Sequence, residues 1–195
     1  MGKKSKVGEY FIQLMLVVVG VFLGLLASDW SNSKQLKNNQ DEVLQNIKLE
    51  IESNIAIVER AQKNRQRFNK SLDSIYPLLT KDVLNELLFD KNFGERFPNW
   101  RGVGNGQLSN AMFEMAKYSN LLSGMDIQVA SQLSKTYAVQ EGHDKARETF
   151  LNKFFDFNSK TTYNDAMRIM FAVRQELSSF ENVLIKEYKK TLELL

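Results

Sequence analysis

Residues 7–30 read VGEYFIQLMLVVVGVFLGLLASDW, and the fate of this stretch decides how and where the rest of the chain folds. From Phe11 to Ala27 only Gln13 is strongly polar. At about 1.5 Å of rise per residue, the helix from Tyr10 to Trp30 covers roughly 30 Å, the thickness of a bilayer's hydrocarbon core. Tyr10 and Trp30 then fall at the two interfaces, where a ring with an apolar body and a polar tip is favoured. Glu9 and Asp29 sit beside them, within reach of water. A run that is apolar on every face is not the one-sided stripe of a helix in a soluble core. A cleaved signal peptide also begins with basic residues, but its apolar stretch is about 7–15 residues long and ends at a small-x-small site. Here the run is longer, and Leu25 occupies the position before Ser28 where a small residue is preferred. The expectation is an anchor that is retained.

Three parts follow: a short basic tail at 1–9, a transmembrane helix at 10–30 and a helical domain at 31–195. MGKKSK precedes the run, and a basic flank tends to remain cytoplasmic, although Lys34 and Lys37 on the far side make the bias moderate. Inside the span, Gly20, Gly24 and Ser28 recur every fourth residue. Small residues at that spacing let two helix backbones approach closely in lipid, which makes this face a candidate for homo-oligomer formation. Packing of Val and Leu against lipid is the alternative.

The stretch GEYFIQLMLVVVGVFLGLLASDWSNSKQ resembles the N-terminus of an uncharacterised family of small bacterial single-pass membrane proteins. Its members open with Gly-Glu, an apolar run and then a Trp with Asn and basic residues; Gly8, Glu9, Gly20 and Trp30 stand at the matching positions. AMFEMAKYSNLLSGMDIQVASQLSKTY is similar to the helix, turn and helix of the same family. The chain departs from it at LLASDW, where the family continues with a Gln- and Asn-rich exit. The resemblance implies an N-terminal anchor in the bacterial inner membrane and a helical extracytoplasmic part. It implies no activity, because none is established for the family.

Beyond Trp30 the pattern is helical. Leu36, Gln40, Leu44, Ile47, Ile51, Ile55 and Val58 are spaced 4, 4, 3, 4, 4, 3, an eleven-residue repeat, and Ala61, Phe68, Leu72, Ile75 and Leu79 continue the stripe. No Gly or Pro interrupts the chain between Asp29 and Tyr76, so one helix is expected to run to the break at Pro77. Thr80 then caps a short helix, 91–106 form an irregular loop, and a helix follows with Leu108, Met112, Met115 and Leu122 inward. A long helix from Met125 and a last helix over Thr161–Leu194, with Met170, Val173, Leu177, Phe180 and Leu184 inward, complete the chain. The fold class is all-α: a transmembrane helix continuing into a long helix, packed with further helices as an antiparallel bundle.

Composition excludes several chemistries. With no cysteine there is no thiol nucleophile, disulfide or Cys-based zinc site. The formal charge of +3 comes largely from Lys3, Lys4 and Lys6, and a nearly neutral remainder implies no nucleic-acid partner. RGVGNG at 101–106 lacks the preceding strand and the following Lys-Ser/Thr of a phosphate-binding loop, so it reads as a flexible connection. His143, the single histidine, reads as a solvated turn residue rather than a ligand. Arg60, Lys63, Arg67 and Lys70 form a solvated or internally paired face, and Phe150, Phe154, Phe155 and Phe157 read as core. No catalytic, cofactor or metal residues are identified, so the chain is expected not to be an enzyme. The expected partners are the lipid bilayer and another protein. Function is expected to be that of a membrane-anchored interaction or scaffold protein of the envelope, the alternative being a small-ligand sensor that signals through a partner membrane protein. The partner-binding candidates are Phe93, Phe97, Trp100 and Arg101, aromatic and arginine residues in a loop with no periodicity to bury them. The competing reading makes Phe97 and Trp100 plugs for the end of the bundle.

Overall fold

The computed structural model describes residues 6–104 and 106–195, with side chains from Glu9 onward; Lys3 and Lys4 of the basic flank lie outside the described residues. The first helix, α1, runs Lys6–Ile75, and the chain divides after Val43 into two compact units. In the N-terminal unit every side chain from Glu9 to Asn39 is exposed, the whole apolar run included. Such a surface is costly in water and favourable in hydrocarbon, and this helix is long and apolar enough to cross a membrane. Tyr10 and Trp30 both stand out from the helix, and the Lys34 ammonium lies 5.5 Å from the Trp30 ring centroid, one turn away. A side chain at Gly20 or Gly24 would meet nothing within 4 Å, so this face of the helix is open.

The second unit, Leu44–Leu195, is an all-α bundle. After α1 a 3₁₀ turn at Tyr76–Leu78 carries Pro77, where the missing N–H and fixed φ end the helix as expected. Short helices α2 (Lys81–Asn85) and α3 (Phe93–Arg96) follow, then α4 (Ala111–Tyr118), α5 (Ile127–Phe155), α6 (Tyr163–Ala172) and α7 (Ser178–Leu192). Thr80 caps α2, its hydroxyl accepting from the Val83 N–H, and Asp126 caps α5. A capping box starts α6: Thr162 Oγ1 accepts from the Asp165 N–H at 3.1 Å while the Asp165 carboxylate accepts from the Thr162 N–H at 3.0 Å. Among the described residues there is no strand, only a single bridge between Leu87 and Thr162.

Side-chain pairs set the helix directions. Gln62 meets Asn182, Arg65 meets Glu181 and Asp73 meets Arg174, so α1 and the α6–α7 arm are antiparallel. Asn54 meets Gln140 and Glu50 meets Tyr137, so α1 and α5 run the same way. The core gathers Phe68, Leu72, Leu88, Phe97, Met167 and Met170 at one level and Val103, Phe150, Val173 and Leu177 at the next.

Three expectations about facing residues are corrected. The main buried stripe of α1 in this unit is Ile47, Ile51, Asn54, Val58, Ala61, Arg65, Phe68 and Leu72, spaced 4, 3, 4, 3, 4, 3, 4, with Glu50 buried beside it. That is a coiled-coil heptad rather than an eleven-residue repeat, and it places Asn54 inward beside a half-buried Ile55. In α4 the inward residues are Phe113 and Ala116, whereas Met115 is exposed. Between α6 and α7 the chain makes a π turn at Val173–Leu177, whose wider coil inserts a residue into the helical register. Phe180 is consequently turned out and Glu181 turned in.

Candidate functional site

The end of the bundle is built from aromatic rings in sequential contact. Phe93 lies 4.9 Å from Phe97, and Phe97 5.2 Å from Tyr163, ring centre to ring centre. Trp100 lies 4.8 Å from Phe68 and 5.2 Å from Phe154, which in turn meets Phe157 at 5.3 Å. Edge and tilted geometries of this kind favour aromatic pairs beyond the area they bury. Phe97 is fully buried and belongs to the core, as the plug reading has it. Its three companions among the partner-binding candidates are placed differently: Phe93 and Trp100 are half-buried and Arg101 is exposed.

Phe93 and Trp100 form part of a groove of about 390 Å³. One wall comes from Phe89 and Phe93, the floor from Trp100, Gly102 and Val103, and the other wall from Leu151, Phe154, Phe155 and Phe157. No lining side chain is charged. The volume lies in the range of small-molecule pockets. Phe89 and Phe155, 55% and 80% exposed, stand on its lips with no packing reason to be there. The four phenylalanines at the end of α5 are thus divided: Phe150 is core, Phe154 and Phe157 are half-buried groove walls, and Phe155 faces solvent.

Polar struts from α1 hold the floor in place. Asn99, at φ 65°, donates to Ser71 at 2.9 Å; Arg65 donates to the Val103 carbonyl at 3.3 Å; Asn54 both donates to the Ser109 carbonyl at 2.7 Å and accepts from the Ser109 N–H at 2.9 Å. The loop therefore runs antiparallel along α1, pinned at three points. Gly102, in the floor, stands at φ +89°, a conformation that favours glycine. The expectation of a flexible connection is corrected to this extent: Val103 is buried and its carbonyl engaged.

The Arg65 strut has its own support. Its guanidinium donates twice to Glu181, at 2.5 and 2.8 Å, and both residues are buried. A bidentate pair of this kind satisfies two charges that would be prohibitive alone. Nearby, Glu50 accepts from the Ser109 hydroxyl, the Tyr137 hydroxyl and the Met112 N–H, and so serves as an external cap for α4. Tyr188 donates to Gln140, which donates to the Ser109 carbonyl. Burial first, and then the bond to the Glu50 carboxylate, push the Tyr137 hydroxyl well above its usual range; burial does the same at Tyr188. At the far level Lys135 and then Gln132 hold the Glu187 carboxyl below its usual range. Sequence reading missed Asn54, Arg65 and Glu181, because periodicity was sought in apolar residues alone.

His143 is corrected as well: it lies within α5, is buried, and its Nδ1 stands 3.3 Å from Asp144. Arg60, Lys63, Arg67 and Lys70 are exposed, consistent with a solvated face. Among the described residues no three His, Asp or Glu side chains cluster to hold a metal. A second depression, between α4 and α5 and of about 640 Å³, is flanked by charges already paired: Lys117 with Glu114 at 3.0 Å and Glu141 with Lys145. The aromatic groove is the better candidate because two of its lining phenylalanines, Phe89 and Phe155, stand exposed on its lips. Compared with known proteins, the chain matches no family model, no curated protein and no solved structure.

Proposed function

We propose that this chain is a non-catalytic interaction protein of the bacterial envelope, anchored in the inner membrane by one helix, with its N-terminus cytoplasmic and its helical bundle outside. The observation that carries the reading is the aromatic groove with Phe89 and Phe155 exposed on its lips, an apolar surface that a folded bundle has no internal reason to leave open. Phe93 and Trp100 contribute to the surface, Phe97 packs against Phe93, and Arg101 is exposed beside Trp100 without lining the groove. Orientation rests on the lysines that precede the span. The open face of Gly20, Gly24 and Ser28 supports association of two copies in the membrane. A second reading, a ligand sensor acting through a partner membrane protein, is favoured by the concave shape and small-molecule size of the groove.

Two measurements test the proposal. In intact spheroplasts an impermeant thiol reagent is expected to label Ser123→Cys and not Ser5→Cys; the reverse pattern refutes the orientation. A photo-crosslinking side chain at position 155 is expected to yield discrete adducts in cells, while the same group at the exposed position 118 on α4 yields none. Equal, diffuse labelling from both positions would refute the groove as a binding surface.

A further inference from the structure

We propose that the exposed face of α1 over residues 60–70 is a docking ridge for an acidic helix of a partner protein, flanked by Arg101 of the adjoining loop. The ridge is separate from the aromatic groove, which neither these residues nor Arg101 line, so the two surfaces stand or fall independently.

Arg60, Lys63, Arg67 and Lys70 follow one another at 3, 4 and 3 residues, so they share one face of α1. Ala61, Arg65, Phe68 and Leu72 are buried on the opposite side, which leaves the four cations on the outer crest. All four are exposed, and none makes an ion pair among the described residues. Like charges three or four residues apart destabilise a helix, and this stretch carries such contacts in succession: 60 with 63, 63 with 67, and 67 with 70. Elsewhere the chain does the reverse, setting Glu114 against Lys117 and Glu141 against Lys145. Residues 59–73 hold two carboxylates, of which Asp73 is taken by Arg174, leaving Glu59 at one end. Nothing in the folded unit compensates the repulsion along the crest; an anionic partner would.

Arg101 extends the charge sideways. It is exposed and unpaired, and it lines a notch of about 10 Å³ between the loop and α1, beside Asn64 and Arg65. Asn64 lies four residues after Arg60 and three before Arg67, so Arg101 stands on that flank of the ridge. A notch of this size admits no more than one water, so a ligand meets the cations from outside. At about 1.5 Å of rise per residue, the four cations stand roughly 4.5, 6 and 4.5 Å apart along the axis. A second helix with carboxylates at the same 3, 4, 3 spacing presents one to each cation when laid along α1. The guanidinium forks of Arg60, Arg67 and Arg101 suit carboxylates, since each can hold one through two donors. A nucleic-acid strand is tracked by a basic groove and stacked on aromatic rings; the crest is convex, and Phe68, the one aromatic residue in the stretch, is buried.

The test titrates the full chain, in nanodiscs of zwitterionic lipid, into a fluorescein-labelled helical peptide of alanine and glutamine that carries glutamates at 3, 4, 3 spacing. The reference is a peptide of the same composition with its glutamates dispersed around the helix. Fluorescence anisotropy is expected to show saturable binding of the aligned peptide, about tenfold tighter than of the dispersed one, the order that several exposed ion pairs acting together supply. Arg67→Glu should abolish that preference and Arg101→Gln should reduce it. Arg67→Glu also turns two like-charge contacts into opposite ones, so its denaturant midpoint should stay level or rise. Lys160→Glu, an exposed change of equal charge outside the ridge, should leave binding unaltered. Equal affinity for the two peptides, equal loss from Arg67→Glu and Lys160→Glu, or a lowered midpoint in Arg67→Glu overturns the inference. Tighter capture of inorganic polyphosphate than of the aligned peptide, charge for charge, would assign the ridge to a phosphate polymer and overturn it as well.

Discussion

Arg65 and Glu181 are the pair on which the groove floor depends, because Arg65 carries both the ion pair and the Val103 carbonyl. Removing one partner of a buried pair leaves an uncompensated charge, at a cost of about 3–5 kcal/mol. Glu181→Leu is therefore expected to lower the unfolding free energy measured by denaturant titration by that amount. Arg65→Met with Glu181→Leu should recover most of the loss, since two apolar side chains of similar volume suit the same cavity. The double variant should still differ from the wild type at the floor, where Val103 loses its donor. Faster amide exchange confined to 101–104 in the double variant would show it, and additive losses from the two single changes would refute the coupling.

At the scale of elements, α5 is joined to α1 and to α7 through phenol hydroxyls. Tyr137 and Tyr188 both have folded pKa values raised above the ordinary value near 10, chiefly by burial. A group so shifted contributes its full stability below its unfolded pKa and loses it as pH rises beyond, because the unfolded chain then releases a proton that the folded chain retains. The bundle is expected to keep constant stability up to about pH 10 and to weaken steadily above it. Tyr137→Phe should flatten that alkaline decline while lowering stability at neutral pH by about 1–3 kcal/mol, because Glu50 loses a donor. Chemical denaturation at a series of pH values distinguishes the two effects, and an alkaline limb unchanged in Tyr137→Phe would show that the decline arises elsewhere.

For the whole molecule, the division after Val43 sets a first unit that is exposed on every face from Glu9 to Asn39 apart from a unit with its own core. Residues 31–195 are expected to be soluble without detergent, to show a mainly helical circular dichroism spectrum and to unfold in one cooperative transition, because the apolar stripes of that unit need each other rather than lipid. Persistent aggregation of this fragment, or two separated transitions, would contradict it. The full chain should resist alkaline extraction from membranes and the fragment should not.

Legibility followed the kind of signal. A long apolar N-terminal helix, the end of α1 at Pro77, the cap at Thr80 and the all-α class were determined by the sequence alone, since run length, a missing N–H and a capping hydroxyl act locally. Tertiary structure decided which residues face inward where polar and apolar candidates compete. Asn54 replaces Ile55 and Glu181 replaces Phe180 because each finds a partner on another helix, Ser109 for the one and Arg65 for the other. A period counted in apolar residues cannot register a buried polar group, whose place is earned by a hydrogen bond from a distant part of the chain. The groove has the same origin: its aromatic residues are visible in the sequence, but only the convergence of the loop on the end of α5 leaves Phe155 exposed while Phe97 is buried.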